Sequence, residues 1–313
     1  MQVYADNAAT TAMSRTAIDA MLPYLDNIYG NPSSLHSVGQ RAKEALDAAR
    51  ETVAQCLGCE PREIIFTSGG SEADNQAIIS AARYGEKKGK KHIITTAFEH
   101  HAVLHTLAKL EKEGFEVTYL DVRKGHNVTA QQVKDAIRPD TCLVTTMYAN
   151  NEIGSILPIR EIGAVCREAG VLFHTDAVQA APYLKIDVAD WGADMLSFSA
   201  HKFYGPKGCG ALYVKNGVRP GKLIAGGEQE RGMRGGTLNV PSVVGLAAAY
   251  EKSVRGMVEN NAKIEGLKAL FLKKIFSDIE GVKLNGEGAA CLPSIVNLTF
   301  EGIDNAAFLY NMD

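Results

Sequence analysis

The chain has 313 residues, of which 46% are hydrophobic and 22% charged, and its 33 basic and 36 acidic side chains leave a net charge of −3. This balance gives no indication of a nucleic-acid partner, and no apolar run is long enough to span a membrane. The first residues lack the basic and apolar regions of a secretory signal. The six cysteines are scattered, so we expect a cytoplasmic protein with reduced thiols rather than a disulfide framework.

Strand-like and helix-like segments alternate from about residue 40 to residue 215. In the first predicted helix, Leu46, Ala49, Val53 and Leu57 fall on one face. Alternation of this kind predicts an α/β fold, with a mostly parallel central sheet that is sandwiched by helices. The predicted helices span 43–58, 71–89, 100–114, 129–137 and 159–170, and the predicted strands span 63–67, 91–96, 115–120, 141–149, 171–177, 194–200 and 210–214.

The character of the sequence changes near residue 250, and the predicted elements that follow are a long helix at 259–281, a strand at 291–302 and the beginning of another helix at 306–313. We therefore predict a large domain at 14–250 and a smaller α+β domain formed by 1–13 and 251–313. Because the last helix has no stop signal, we expect the smaller domain to be incomplete.

Polar side chains follow the predicted strands, at the edge where parallel sheets bind their ligands. Gly70 and Ser71 open a predicted helix, where free N–H groups favour a phosphate, although an ordinary helix cap explains the same residues. His101 and His105 are four residues apart, but no further ligands complete a metal site, so none is predicted. A histidine here can instead stack on a flat ligand, transfer a proton or have a structural role.

Three later strands also end in polar residues. A turn or a helix cap explains each of them taken singly. The carboxylate of Asp176, however, ends a strongly apolar strand, and there it needs a cationic or hydrogen-bonding partner. In chain order, these residues are Asn151, then Asp176 and Gln179, then Ser199, His201 and Lys202.

Together these clusters meet the requirements of one cofactor, pyridoxal phosphate. Its aldehyde needs a lysine amine, which Lys202 supplies with a pKa lowered by partial desolvation. Its pyridine nitrogen needs a carboxylate that keeps it protonated, and Asp176 is the candidate. Asn151 or Gln179 would hydrogen-bond the ring hydroxyl. The donors expected for the phosphate are Gly70, Ser71, Ser199 and His201.

Eight motifs occur in order along the chain: "YADNAATT", "GNPSSLHSVG", "FTSGGSEADN", "EHHAVL", "NNEIGSILPI", "HTDAVQAAP", "SFSAHKFYGPKGCGALYV" and "GGEQERGMRGGTLNV". On these motifs the sequence closely resembles, along its whole length, the cysteine desulfurases of iron–sulfur cluster assembly, the nitrogen-fixation-type group of the class-V aminotransferase family. The resemblance implies a homodimeric fold-type I enzyme with pyridoxal 5'-phosphate. It also implies conversion of L-cysteine to L-alanine, with the sulfur passing through an enzyme persulfide to an acceptor such as an iron–sulfur scaffold protein.

The resemblance also implies a role for each candidate residue. Lys202 would be the Schiff-base lysine and would remove the substrate's Cα proton once the substrate frees it. His100 would stack on the ring and assist proton transfer, Asp176 would pair with the pyridinium, and Thr237 would reach the phosphate of the other subunit's cofactor. The remaining residues would bind the ring oxygen (Asn151, Gln179) and the phosphate (Gly70, Ser71, Ser199, His201).

No cysteine of this sequence lies in a motif that matches the family's catalytic cysteine. The family carries that cysteine, and an arginine for the substrate carboxylate, beyond the point at which this sequence stops, so we expect cofactor binding with little turnover. Cys209 is expected to be packed in a strand, and Cys56 and Cys59 to act as small hydrophobes at a helix end. Two alternatives stay open: another fold-type I enzyme, such as a selenocysteine lyase or an aminotransferase, and a cofactor-binding fragment or scaffold without turnover.

Overall fold

A seven-stranded sheet forms the centre of the protein. The computed structural model describes residues 3–122 and 127–312. The strands are β1 (Ile64–Thr67), β2 (His92–Thr96), β3 (Glu116–Leu120), β4 (Thr141–Met147), β5 (Leu172–Asp176), β6 (Met195–Ser199) and β7 (Gly210–Val214). Their order across the sheet is β1-β7-β6-β5-β4-β2-β3, and all neighbours are parallel except the two pairs that include β7. The predicted α/β fold with a mostly parallel sheet is confirmed.

The described helices are α1 (Arg15–Asp26), α2 (Ser37–Leu57), α3 (Gly70–Glu86), α4 (His101–Lys112), α5 (Ala130–Ala136), α6 (Ile159–Ala169), α7 (Val188–Trp191), α8 (Val240–Asp278) and α9 (Asn305–Met312). Neighbouring residues of one strand face opposite sides of the sheet. Ile65 and Ile93 accordingly pack with α3 and α4, whereas Ile64 and Ile94 belong to the core that includes α2 and α8. Both faces of the sheet are therefore covered by helices.

Several elements of the second half differ from the sequence prediction. Helix α8 begins at Val240 instead of near residue 259, because the Asn239 side chain accepts the Ser242 N–H and caps it there (3.2 Å). The predicted strand at 291–302 is reduced to β9 (Leu298–Phe300), which pairs with β8 (Val282–Leu284) in a separate two-stranded sheet. The division into the two predicted domains stays a prediction.

The strand directions place the predicted site at one edge. Strand β7 is antiparallel to both β6 and β1, so β1 runs in the same direction as β6 and its parallel neighbours. The carboxyl ends of β1, β2, β4, β5 and β6 therefore meet at the same edge of the sheet. In the part of the chain that the structure describes, no helix is long and apolar enough to span a membrane.

Candidate active site

A cavity of about 460 Å³ lies at this edge, and five strand ends contribute to its wall. Of the ten residues predicted for the site, all except Thr237 line it. These nine residues are Gly70, Ser71, His100, Asn151, Asp176, Gln179, Ser199, His201 and Lys202. The structure thus brings together side chains that are up to 132 residues apart in the sequence, from Gly70 to Lys202.

The turn between β1 and α3 forms one end of the cavity. The N-cap of α3 is Gly69, and the helix begins at Gly70, one residue before the predicted start at Ser71. Gly69 has φ 156°, which L side chains rarely adopt, and a side chain at Gly70 would meet Val178 Cγ2 at 2.7 Å. The first helical hydrogen bond runs from the Ala73 N–H to the Gly69 carbonyl (3.2 Å). The N–H groups before it lie at a helix N-terminus, which favours an anion.

Lys202 lies in a 3-10 turn directly after β6 and is half-buried. Its Nζ donates to the carbonyl oxygens of Ala8 and Ala9, the second at 2.9 Å. Burial lowers the pKa of Lys202, although the charges of Asp176 and other acids oppose this shift. The amine is therefore less basic than a surface lysine and closer to a nucleophile.

The amino-terminal segment holds the Lys202 turn in place. The Thr11 N–H and hydroxyl both donate to the His201 carbonyl, at 2.9 and 2.8 Å. The Thr11 hydroxyl also accepts the Tyr204 N–H (2.8 Å), and Tyr204 has an unusual positive φ of 64°. Burial lowers the pKa of His201 to about 4, so its ring is neutral beside Lys202 at pH 7.

Asp176 ends β5 and is 5% exposed. The Val178 N–H donates to its Oδ1 at 2.8 Å, which fixes the carboxylate. Burial raises the pKa of Asp176, while the neighbouring His100 and Lys202 favour the ionised form. A buried carboxylate in this setting is stabilised by a cationic partner.

The remaining wall residues present ring and amide groups. His100 caps α4, since its Nδ1 accepts the Ala102 N–H (3.1 Å), which leaves Nε2 to carry the proton of the neutral ring. Gln179 Nε2 donates to the Ala8 carbonyl (2.8 Å), and Asn151 Nδ2 donates to Glu152 (2.7 Å). Neighbouring Asn150 instead holds the turn, where its Oδ1 accepts two backbone N–H groups.

Sequence reasoning missed several cavity residues. Asp74 lines the wall and is 1% exposed. Its position four residues after Gly70, on the same face of α3, is a signal that identifies it. Asp6 and Ala8 come from a segment without helix or strand. No local pattern predicts that Asp6 lines the cavity or that the Ala8 carbonyl accepts from Lys202.

Thr237 is exposed and lies outside the cavity lining. Its loop is nevertheless fixed beside the turn between β1 and α3. Arg234 Nε lies 2.9 Å from Oε1 of Glu72, which is on the first turn of α3. Glu72 also accepts the Ser68 N–H (2.8 Å). One ion pair therefore joins the Thr237 loop to the turn that carries Gly70.

All six cysteines lie within the described residues, and none lines the cavity. Cys209 is 2% exposed, and burial raises its pKa to about 12. Cys56 and Cys59 pack against the core at the end of α2, as predicted, with pKa values raised by burial to about 11 and about 12. Among the described residues, no cluster of three potential ligands surrounds His101 and His105 or any other point, so a metal centre is not assigned.

The donor set of the cavity fits pyridoxal phosphate. The lining offers helix N–H groups with the Ser199 hydroxyl, a half-buried amine and a buried carboxylate. A buried oxygen, Oδ1 of Asp74, has no hydrogen-bond partner at this wall. An anionic, flat cofactor with a protonated ring nitrogen matches this set of groups.

Comparisons with known proteins agree with the geometry. The aminotransferase class-V family matches residues 3–313. The cysteine desulfurase IscS of Clostridium botulinum strain Hall is 50% identical over 314 residues, which cover 100% of this chain and 79% of the relative. A solved NifS-like protein superposes with a TM-score of 0.96 at 37% identity and covers 100% of this chain and 85% of its own. The structure described as "SspA in complex with cysteine" superposes with a TM-score of 0.87 at 39% sequence identity. The match covers 100% of this chain and 87% of that chain.

The family match spans almost the whole chain, and the relative is half identical over its full length. The predicted resemblance is therefore confirmed. The chain belongs to the class-V aminotransferase family, within its cysteine desulfurases.

Proposed function

We propose that the protein is a cysteine desulfurase that converts L-cysteine to L-alanine and transfers the sulfur to a thiol. The observation that carries this proposal is the single cavity in which Lys202, Asp176 and His100 meet from three strand ends. The relatives named cysteine desulfurase and the neighbour solved with cysteine support L-cysteine as the substrate.

The cofactor is pyridoxal 5'-phosphate, which when bound withdraws electrons from the bond that breaks at the substrate's Cα. Lys202 Nζ would bind its aldehyde carbon, and Asp176 would keep its ring nitrogen protonated. Gln179 and Asn151 would donate to the ring oxygen. The phosphate would be bound by Gly70, Ser71, Ser199 and His201, all of which line the cavity.

Lys202 also has the properties of a general base. Its lowered pKa increases the fraction of neutral amine, so Nζ can accept the Cα proton of the substrate. Nδ1 of His100 accepts the helix-cap hydrogen bond from the Ala102 N–H, so Nε2 is the ring nitrogen that remains for the reaction. Nε2 can hold a proton for the departing or arriving groups. The half-buried amine and the capped imidazole therefore divide the proton transfers between them.

Sulfur transfer needs a thiolate, which attacks the substrate sulfur. The net reaction is L-cysteine and a thiol RSH giving L-alanine and a persulfide RSSH, which balances without an oxidant. None of the six cysteines, all of them described, reaches the cavity. We therefore assign the attacking thiol to none of these six cysteines in the arrangement that the structure describes.

A homodimer would complete the site. Support comes from Thr237, which lies outside its own cavity although Arg234 fixes its loop beside Glu72. A depression shared by Ser68, Gly70 and Lys207 opens at the phosphate end and leaves space for a second subunit's loop. An iron–sulfur scaffold protein as the final sulfur acceptor and a cytoplasmic location are also part of the proposal, and six cysteines without disulfides support the latter.

The test is alanine formation by the protein reconstituted with pyridoxal phosphate. With L-cysteine alone we expect little alanine, and with added dithiothreitol we expect alanine and sulfide in equal amounts, since the added thiol accepts the sulfur. Lys202→Ala should form neither product. Formation of 3-mercaptopyruvate, the keto acid that transamination of L-cysteine gives, or turnover of L-selenocysteine without any of L-cysteine, would contradict the proposal in favour of one of the alternative enzymes.

A further inference from the structure

Asp74 is a buried acid of the cavity to which the proposed reaction assigns no role. It lies on α3, lines the cavity and is 1% exposed. Its Oδ1 has no hydrogen-bond partner. An unpaired carboxyl oxygen at the wall of a ligand cavity is costly unless the group is neutral or meets a partner there.

The groups that face Asp74 do not neutralise a negative charge on it. His174 Nε2 is 3.6 Å from Oδ1, but burial lowers the pKa of His174 to about 3, so this ring is neutral. Burial raises the pKa of Asp74, and the neighbouring acids Asp176 and Glu99 raise it further, whereas the Ser197 hydroxyl lowers it. Two buried carboxylates that share a site do not both ionise.

Asp176 is the better placed of the two acids to carry the charge. It accepts the Val178 N–H at 2.8 Å, and His100 and Lys202 favour its ionised form. We propose that Asp74 is a positioning residue of the ring-nitrogen site, which holds a proton beside Asp176 and leaves Asp176 as the single ionised carboxylate there. This inference rests on the proposed function, because that function places the ring nitrogen at Asp176.

A chain of hydrogen bonds accommodates the proton. The Ser197 hydroxyl lies 2.9 Å from His174 Nε2, and His174 Nδ1 lies 2.8 Å from the Thr145 hydroxyl. If a protonated Asp74 donates to Ser197, which neighbours it and affects its pKa, the donors run in one direction, from Asp74 to Ser197, from Ser197 to Nε2 and from Nδ1–H to Thr145. Every link then has one donor and one acceptor.

Infrared difference spectroscopy of the cofactor-free protein at pH 7 tests the protonation directly, without depending on catalysis. Subtracting the Asp74→Asn spectrum from wild type should reveal the C=O band of a protonated carboxyl. Asp135→Asn, a matched change of an exposed aspartate, should reveal a carboxylate band instead. Ser197→Ala should keep the Asp74 band but shift it, because the acid loses its acceptor. A carboxylate band for Asp74, or an unshifted band in Ser197→Ala, would overturn the proposal.

Titration with pyridoxal 5'-phosphate, followed by its visible absorbance, tests the positioning role. Asp74→Asn keeps a neutral hydrogen-bonding group, so its Kd should stay within about threefold of wild type, whereas Asp74→Leu, without polar atoms, should weaken binding about tenfold or more. If wild type shows the band of a protonated Asp74 but Asp74→Asn binds pyridoxal 5'-phosphate tenfold more weakly, the positioning role alone is overturned. Failure of wild type to bind the cofactor would instead contradict the proposed function.

Discussion

Arg50 and Glu230 form a two-point ion pair in which the Glu230 side chain is fully buried. Arg50 Nη1 lies 2.9 Å from Glu230 Oε2, and the same oxygen accepts the Phe66 N–H at 2.9 Å. Glu230 and Arg231 both have positive φ angles, 48° and 56°. The pair therefore joins α2 and β1 to a strained loop that leads to Thr237.

Removing one partner of this pair should be strongly destabilising. Glu230→Ala removes the buried carboxylate that faces Arg50, whose Nη1 keeps only the Ile64 carbonyl, and leaves the Phe66 N–H without its acceptor. We expect a loss of about 3 kcal/mol or more in the free energy of unfolding. Urea denaturation measures this loss. Asp19→Ala, which breaks an exposed pair with Arg15, is the matched control and should cost less than about 1 kcal/mol. If the two variants lost equal amounts of unfolding free energy, burial of the Arg50–Glu230 pair would not explain its contribution to stability.

Close packing at Gly70 predicts a rescue experiment. A methyl group at Gly70 would lie 2.7 Å from Val178 Cγ2, so Gly70→Ala should lower the free energy of unfolding by about 1–3 kcal/mol and weaken cofactor binding. Gly70→Ala with Val178→Ala removes the opposing methyl groups and should recover part of both losses. Absence of any recovery would show that the clash with Val178 is not the cause.

Glu99 predicts a pH dependence of stability. Burial raises its pKa from the ordinary 4.5 to about 8, so between these values the folded chain binds more protons than the unfolded chain. Stability should therefore fall as pH rises through this window, by at most about 1.4 kcal/mol per pH unit. Glu99→Gln cannot ionise, and the difference in unfolding free energy between the variant and wild type should grow with pH from 5 to 8. A difference that is constant with pH would contradict the shift.

Strand ends were the part of the site that the sequence predicted well. Parallel strands bring their carboxyl ends to one edge, so Gly70, Asp176 and Lys202 could be grouped without any knowledge of distances. Local patterns were sufficient here because each residue follows an apolar strand directly. The predicted start of α3 differs by one residue, since the cap is Gly69, which has no side-chain acceptor.

Long-range contacts were not predictable in this way. The Ala8 carbonyl receives hydrogen bonds from Gln179 and Lys202, although its segment has no hydrophobic period. Asp74 and Glu99 are buried acids whose neighbours come from other elements, so sequence alone gives no reason to expect their raised pKa values. Tertiary packing decides both the contact and the charge state.

Lys202 is the residue to which we assign covalent binding of the cofactor. The most direct test is borohydride reduction of the protein reconstituted with pyridoxal 5'-phosphate, followed by peptide mapping, with Lys185→Ala, a change of an exposed lysine outside the cavity, as control. We predict a pyridoxyl group on Lys202 in wild type and in the control, and no labelled peptide in Lys202→Ala. A pyridoxyl group on another lysine of wild type, or none, would contradict the account.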